Sequence, residues 1–262
     1  MGEIQDFKRP MLIHSTWILT VSTSTVLPRP YGLELIKQLH QQLGLEMGSE
    51  TIPAVSYSGI IGFYSTSRDF ITFHPDEFYQ LSLCGLNKVS AKAVSHLNLT
   101  DSLEFLGAKF KIINHKDEIT SYEELYTNLV GNEPEPVRSF DLQFITPTAF
   151  AQSGVNLPLP LPTLMFRSWL ERWNTFAPVY LGSDELIAYL GNAVVLKNHK
   201  IQTRSYQLNK SFVNGFVGDV TLQSLNRADP LLANVANLLV QYARFSGTGM
   251  KTRLGMGQTL IK

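Results

Sequence analysis

The end of this chain runs helix, glycines, strand, and that order narrows its fold more than any other feature. Asp229-Pro230 reads as an N-cap followed by a first helical residue. Leu231, Leu232, Val235, Leu238, Leu239, Tyr242 and Phe245 then recur at a helical period. Gly247-Thr248-Gly249 and Gly255-Met256-Gly257 come next, bracketing a five-residue insert that carries Lys251 and Arg253. Gln258-Thr259-Leu260-Ile261 closes as a short strand. A dinucleotide fingerprint or a P-loop runs strand, glycines, helix, so neither fits. Glycine lacks Cβ, takes positive φ and lets a phosphate approach backbone amides. Gly247, Gly249, Gly255 and Gly257 are therefore candidate polyanion ligands, with Lys251 and Arg253 beside them. The plainer alternative is that Gly247 only ends a helix in an αL cap.

Charge favours the polyanion. The formal net charge is zero, yet residues 186–262 hold nine Lys/Arg and two acids, a balance of +7. Residues 1–185 hold thirteen bases and twenty acids, a balance of −7. A basic segment coinciding with a glycine loop suits a phosphate backbone. The 44% hydrophobic content is that of a core-forming protein, and no apolar run reaches the length of a membrane span. The first residues are polar and lack the apolar stretch of a signal peptide. Cys84 is the only cysteine, which excludes an internal disulfide and a thiolate metal cluster. A cytoplasmic protein is the expectation.

The element order can be read twice as β-α-β-β-α-β. In the first half, residues 11–24 read as a strand, 31–45 as an amphipathic helix, 53–64 and 69–83 as strands joined by a polar turn at 65–68, 90–103 as a helix and 108–115 as a strand. Residues 122–129 suit a short connecting helix. Asn132-Glu133-Pro134-Glu135-Pro136 reads as a linker, giving domains at 1–131 and 137–262. In the second half, 137–147 is a strand, 155–162 is extended and proline-rich, 163–176 and 184–191 are helical, and 194–208 and 212–223 are strands ahead of the 230–245 helix. The fold class expected is α+β, two tandem ferredoxin-like (RRM-like) βαββαβ domains.

With these pieces assembled, the chain resembles the CRISPR-associated endoribonucleases of the RAMP superfamily, which cut precursor CRISPR RNA within its repeats. The likeness is carried by the glycine loop, Gly247 to Gly257, and by Phe144-Ile-Thr-Pro-Thr-Ala-Phe150, Phe166-Arg167-Ser-Trp-Leu-Glu-Arg172-Trp173-Asn174 and Gly215-Phe-Val-Gly218. It covers residues 137–262 and is weak before them. The resemblance implies a metal-independent cleavage: the ribose 2′-hydroxyl attacks the adjacent phosphate, leaving a 2′,3′-cyclic phosphate and a 5′-hydroxyl. It implies no cofactor, and a repeat RNA stem-loop as partner. It leaves homodimerisation and association with CRISPR effector subunits open.

Such a reaction needs a proton carrier and positive charge at the phosphorane. Of six histidines, His40 is the candidate, because the resemblance places a catalytic histidine on the helix after the first strand. On a helical wheel it sits at the edge of the face built from Leu33, Leu35, Ile36, Leu39 and Leu43, where one ring nitrogen would meet solvent. An ordinary boundary histidine is the competing reading. Lys37, at i−3, could place an ammonium near the same phosphate. Tyr31 and Arg29 are the runner-up proton carrier and phosphate clamp. His14 is expected to pack within the sheet, His74, His96 and His115 to lie on the surface, and His199 to touch RNA. Arg204 and Lys210 flank a hairpin and could grip a stem. Arg167 and Arg172 share a helix with Trp169 and Trp173, and either contact RNA or cover that core. Metal ligation is not expected, since the acids come in adjacent pairs that do not face one site. A catalytically inactive RNA-binding subunit of a CRISPR effector complex is the alternative function. An unrelated ferredoxin-like enzyme for a small phosphorylated ligand ranks third.

Overall fold

A computed structural model describes residues 11–45, 50–99, 101–208 and 211–262. The first half begins with β1 (Met11–Thr20), whose alternation of branched and aromatic residues pairs on both sides with other strands. A short β2 (Thr25–Pro28) leads into α1 (Tyr31–Gln42), which buries Tyr31, Leu35, Ile36, Leu39 and His40. Then come β3 (Val55–Ile61), β4 (Tyr64–Thr66), β5 (Phe70–Phe73), β6 (Tyr79–Gly85), α2 (Lys88–Ser95), β7 (Ser102–Phe105) and β8 (Ala108–Ser121). The main sheet has the order β3-β6-β1-β8-β7, with every pair antiparallel. Without the β7 appendage this is the strand order of a ferredoxin-like unit. A side sheet, β2-β5-β4, draws β2 from between β1 and α1, and β4 and β5 from between the unit's second and third strands.

Two expected elements divide. The strand expected over 69–83 is β5 and β6, interrupted at 74–78, where Pro75 cannot donate to a ladder. The helix expected over 90–103 stops at Ser95, and Ser102–Phe105 turns into β7. That helix starts at a capping box: Ser90 N donates to Asn87 Oδ1 at 2.8 Å, and Asn87 N donates to Ser90 Oγ at 3.1 Å.

A short helix, α3 (Tyr122–Tyr126), runs into a π turn (Thr127–Gly131), and residues 133–138 carry neither helix nor strand. The second half follows as β9 (Ser139–Thr148), the small hairpin β10 (Phe150–Gln152) and β11 (Val155–Leu157), α4 (Pro162–Phe176), α5 (Asp184–Ala193), β12 (Val194–Gln207), β13 (Phe212–Ser224), α6 (Pro230–Ser246) and β14 (Thr259–Ile261). Its sheet order, β12-β13-β9-β14, repeats that of the first half. The fold is α+β, with two ferredoxin-like units in tandem.

The cores do not part at the linker. The larger one gathers Phe166, Trp169, Trp173, Leu238, Leu239 and Tyr242 from α4 and α6, but also Leu12, Leu86, Tyr122 and Leu125 from before residue 131. Tyr122 stands edge-on to Trp173, and its hydroxyl donates to Leu86 O at 2.8 Å. Aromatic edges of this kind add to area burial, so the halves share a seam. Among the described residues no helix is long and apolar enough to cross a membrane.

Candidate active site

The start of α6 is as its sequence dictates: Asp229 Oδ1 accepts from Leu231 N and Leu232 N, and Pro230 occupies the first helical position. Beyond Ser246 the glycine segment folds into a buried knot. Gly247 N donates to Ala243 O at 2.8 Å, Gly249 N to Ser168 Oγ at 2.8 Å, Gly255 N to Thr252 O at 3.4 Å and Gly257 N to Pro147 O at 3.1 Å. Thr248 N and Met250 N donate to Gly257 O and Ala149 O, both at 2.9 Å. The expectation that Gly247, Gly249, Gly255 and Gly257 offer their amides to phosphate is therefore corrected, because those donors are already spent inside the protein. The glycines answer a packing demand instead. At Gly249 (φ +76°) a Cβ would run into the carbonyl of Ala149, and at Gly257 (φ +77°) into that of Thr248.

Helix α4 clamps this knot. Trp169 Nε1 donates to Thr248 Oγ1 at 2.9 Å, and Arg172 donates to Ser168 O and Oγ and, through Nη2, to Gly249 O at 2.6 Å. Arg172 is 8% exposed, so its assignment as an RNA contact is also corrected: its guanidinium is a strut under the loop. Among the described residues no carboxylate forms an ion pair with it, and burial holds its pKa below the ordinary value. Arg167 is committed to Asp184 at the start of α5, 2.8 Å away, and links two helices rather than reaching the loop.

What the knot presents outward is the turn between its glycine pairs. Lys251 adopts the left-handed conformation (φ +58°), and a 3-10 turn at Thr252–Leu254 packs against β3 and α1. Arg253 comes within 3.7 Å of Glu50 and is 26% exposed. Its charge acts on the phenol of Tyr57, drawing down a pKa that burial pushes well up. Tyr57, 1% exposed on β3, lies 2.6 Å through its hydroxyl from His40 Nδ1. Three distant stretches of sequence thus meet: His40 from α1, Tyr57 from β3 and Arg253 from the glycine knot.

His40 is 5% exposed, which corrects its placement at a solvent-facing edge. Because β3 and the 3-10 turn pack on that side of α1, the ring is enclosed. Lys37 is directed to Glu34, 2.6 Å away and in solvent, and Tyr31 is a core residue whose hydroxyl donates to Ile60 O at 3.2 Å. Burial raises the Tyr31 pKa far above the phenol range, although the residue also lines the cleft described next.

Beside this cluster lies a cleft of about 930 Å³ between the two units. Arg29 and Tyr64 line it from the first half, Arg204, Tyr206 and Phe212 from the β12–β13 hairpin. Tyr206 joins cleft to knot by donating to Leu254 O at 2.5 Å. Arg29 and Arg204, separated by 175 positions, line the same space. Lys210 lies outside the described residues. Of the other histidines, His14 is buried as expected, burial lowering its pKa, and His115 stacks on Trp17 with ring centroids 4.6 Å apart. Among the described residues no group of three or more His, Cys, Asp or Glu is placed to hold a metal ion. Sequence reasoning passed over Tyr57 and Tyr206, because an aromatic inside a strand reads as core.

The family model of the CRISPR-associated endoribonuclease Cas6 matches residues 142–259. A Cas6 endoribonuclease of Mycobacterium tuberculosis is 32% identical over 125 residues, 48% of this chain and 39% of that protein. A Cas6 solved as a product complex superposes with a TM-score of 0.72 at 22% identity, covering 96% of this chain and 99% of the other. The second half of the chain is thus similar to Cas6 endoribonucleases. A histidine-to-alanine mutant of that same solved Cas6 superposes at a TM-score of 0.69 and 22% identity, over 97% of this chain and 99% of its own. At such identities the two structures show a shared fold. The aligned stretch spans well under half the length of the mycobacterial Cas6. The family match runs from β9 to β14 and so takes in the clamp of α4 and the glycine knot, while Arg29, His40 and Tyr57 lie outside it.

Proposed function

We propose that this chain is a Cas6-type endoribonuclease that cuts precursor CRISPR RNA within its repeat. The observation that carries the reading is the seating of the basic turn of the glycine knot against the His40–Tyr57 pair. Lys251 and Arg253 hold the scissile phosphate and its charge, and His40 carries a proton to or from it. Arg29 and Arg204 grip flanking phosphates of the repeat, taken as a stem-loop read through shape and backbone. The nucleophile is the ribose 2′-hydroxyl, so the products are a 2′,3′-cyclic phosphate and a 5′-hydroxyl, with no step routed through a metal. The mycobacterial relative is named an endoribonuclease, and the Cas6 superposed above was solved with its product; both support this reading.

Labelled repeat RNA incubated with the protein in EDTA tests it. Cleavage is expected, with a cyclic phosphate end, and a single 2′-deoxy substitution at the cut should abolish it. His40→Ala should slow single-turnover cleavage by roughly 10²-fold or more, the usual scale for a lost proton carrier, while binding holds within a few-fold. The enclosure of His40 favours a second reading, an RNA-binding subunit without catalysis. Repeat RNA that is bound tightly and stays intact would replace the first reading with the second.

A further inference from the structure

The β12–β13 hairpin outruns its sheet. Its last contact with the β9 ladder is Phe216 opposite Thr148, and beyond it Arg204, Ser205, Tyr206 and Gln207 pair with Gly215, Asn214, Val213 and Phe212 as a two-stranded overhang. Such a ribbon is barely stable by itself, so contacts outside the ladder must hold it. Val213 is buried with Ala149 and Met256, and Tyr206, Leu208 and Met250 pack around them. The Tyr206 hydroxyl adds a polar tie by donating to Leu254 O at 2.5 Å. Burial pushes this phenol up to about 12, so it keeps its proton at neutral pH. Two glycines make room for the oxygen. A Cβ at Gly255 of the knot would stand 2.3 Å from it, and one at Gly32, in the first turn of α1, 3.3 Å. Hairpin, knot and helix thus close on a single atom.

We propose that Tyr206 is a positioning residue that fixes the spacing between the cations of the cleft and those of the knot, and so selects which phosphodiester of the repeat is cut. The inference rests on the endoribonuclease reading above and adds to it what sets the cut position. The residues joined at the Tyr206 oxygen are chain neighbours of every cation that reading uses. Arg204 lies two positions before Tyr206, on the same face of β12, and lines the same cleft. Lys251 and Arg253 belong to the segment that ends at Leu254 and Gly255, and Arg29 comes just ahead of α1. Phosphodiesters along a strand are chemically alike, so only placement can tell one from the next, and contacts to flanking phosphates are what set register. An overhang free to drift would carry Arg204 with it and bring a neighbouring phosphodiester to the basic turn. The Tyr206 bond holds that overhang to the turn itself.

The test maps the ends of cut repeat RNA to the nucleotide, with affinity and thermal melts measured alongside. Tyr206→Phe keeps the ring in its packing and removes the donor. A buried hydrogen bond whose acceptor is then left unmet is worth about tenfold in an equilibrium. Cuts at the phosphodiesters flanking the normal site should therefore rise about tenfold as a share of product. Affinity should stay within a few-fold, because Arg29 and Arg204 remain. Gly32→Ala is the second variant: alanine suits a helix, and its methyl presses on the Tyr206 oxygen from the α1 side. The same stray cuts should appear, to a smaller extent. A tyrosine that served stability alone would lower the melt and slow the cut without moving it. Cutting by Tyr206→Phe as confined as that of the unaltered protein overturns this inference alone, whatever the rate; should that variant fail to fold, Gly32→Ala decides in the same way. If the unaltered protein leaves repeat RNA whole, the endoribonuclease reading falls and takes the inference with it.

Discussion

Replacing Gly249 by alanine separates a structural knot from a phosphate cradle, and its cost can be worked out beforehand. Gly249 has φ +76°, a region where an L-residue loses about 1–2 kcal/mol, part of it regained because alanine stiffens the unfolded chain by about 0.4–1 kcal/mol. The new methyl would also collide with the carbonyl of Ala149, an atom held by the Met250 amide and unable to swing aside. Forced overpacking of this kind costs about 1–3 kcal/mol, so the whole loss should be about 2–4 kcal/mol. Gly154 supplies the control. It has nearly the same φ, +79°, with nothing within 4 Å of the Cβ position, so Gly154→Ala should cost under about 1 kcal/mol. In a chain of this size each kcal/mol moves Tm by about 2–4 °C. Thermal melts should place Gly249→Ala roughly 5–15 °C below the parent by the same scaling, with the control close to it. Repeat-RNA affinity, measured well below the melt, should change little in either. A Gly249→Ala protein that melts like the parent but loses RNA affinity would refute the reasoning, since it would mean that the amide serves the ligand.

Lys251→Ala combined with Arg253→Ala should weaken repeat-RNA binding and flatten the plot of log affinity against log salt, by about 0.7–0.9 for each phosphate no longer neutralised; an unchanged slope in a salt titration would remove the turn from the interface. His14 predicts an acid sensitivity. Burial sets its folded pKa below the usual value of about 6.5, so the unfolded chain binds the proton more readily. The stability tied to a neutral His14 is complete above that value and declines as pH falls toward the lower folded one. Urea midpoints should therefore drop between about pH 7 and 5, and His14→Asn should flatten that drop; an equal pH dependence in both proteins would show that His14 does not carry it.

Local chemistry made much of the fold legible. Asp229-Pro230 announces α6 because a carboxylate cap and a residue without an amide suit a helix start and little else. The strand alternation in 137–147 likewise needs no distant partner to be read. The errors fall where tertiary context decides. Pro75 was too weak a signal to divide β5 from β6, and Leu103 and Phe105 serve a strand edge as readily as a helix face. At the site, Arg29 and Arg204 could be singled out from charge and placement beside turns, and both line the cleft. Arg172 could not be told from them, because its fate depends on Ser168 Oγ and Gly249 O standing opposite it. Gly249 and Gly257 looked like exposed amides for the same reason: the acceptors that consume them, on Ser168 and Pro147, are 81 and 110 positions away in sequence. Tyr57 left no trace, since its meeting with His40 depends on how β3 lies across α1.

The seam between Tyr122, Trp173 and Tyr242 limits how such a chain can be taken apart. An engineer cutting the gene at the proline-bearing linker would strip five buried apolar side chains from one product's interior and leave the other with an uncovered aromatic face. Neither fragment should be expected to remain in solution by itself. Chimaeras exchanging a front half for a relative's would succeed only if the substitute brought its own tyrosine, leucines and short helix to the join. Descent would feel the same restriction, with the two halves changing in step.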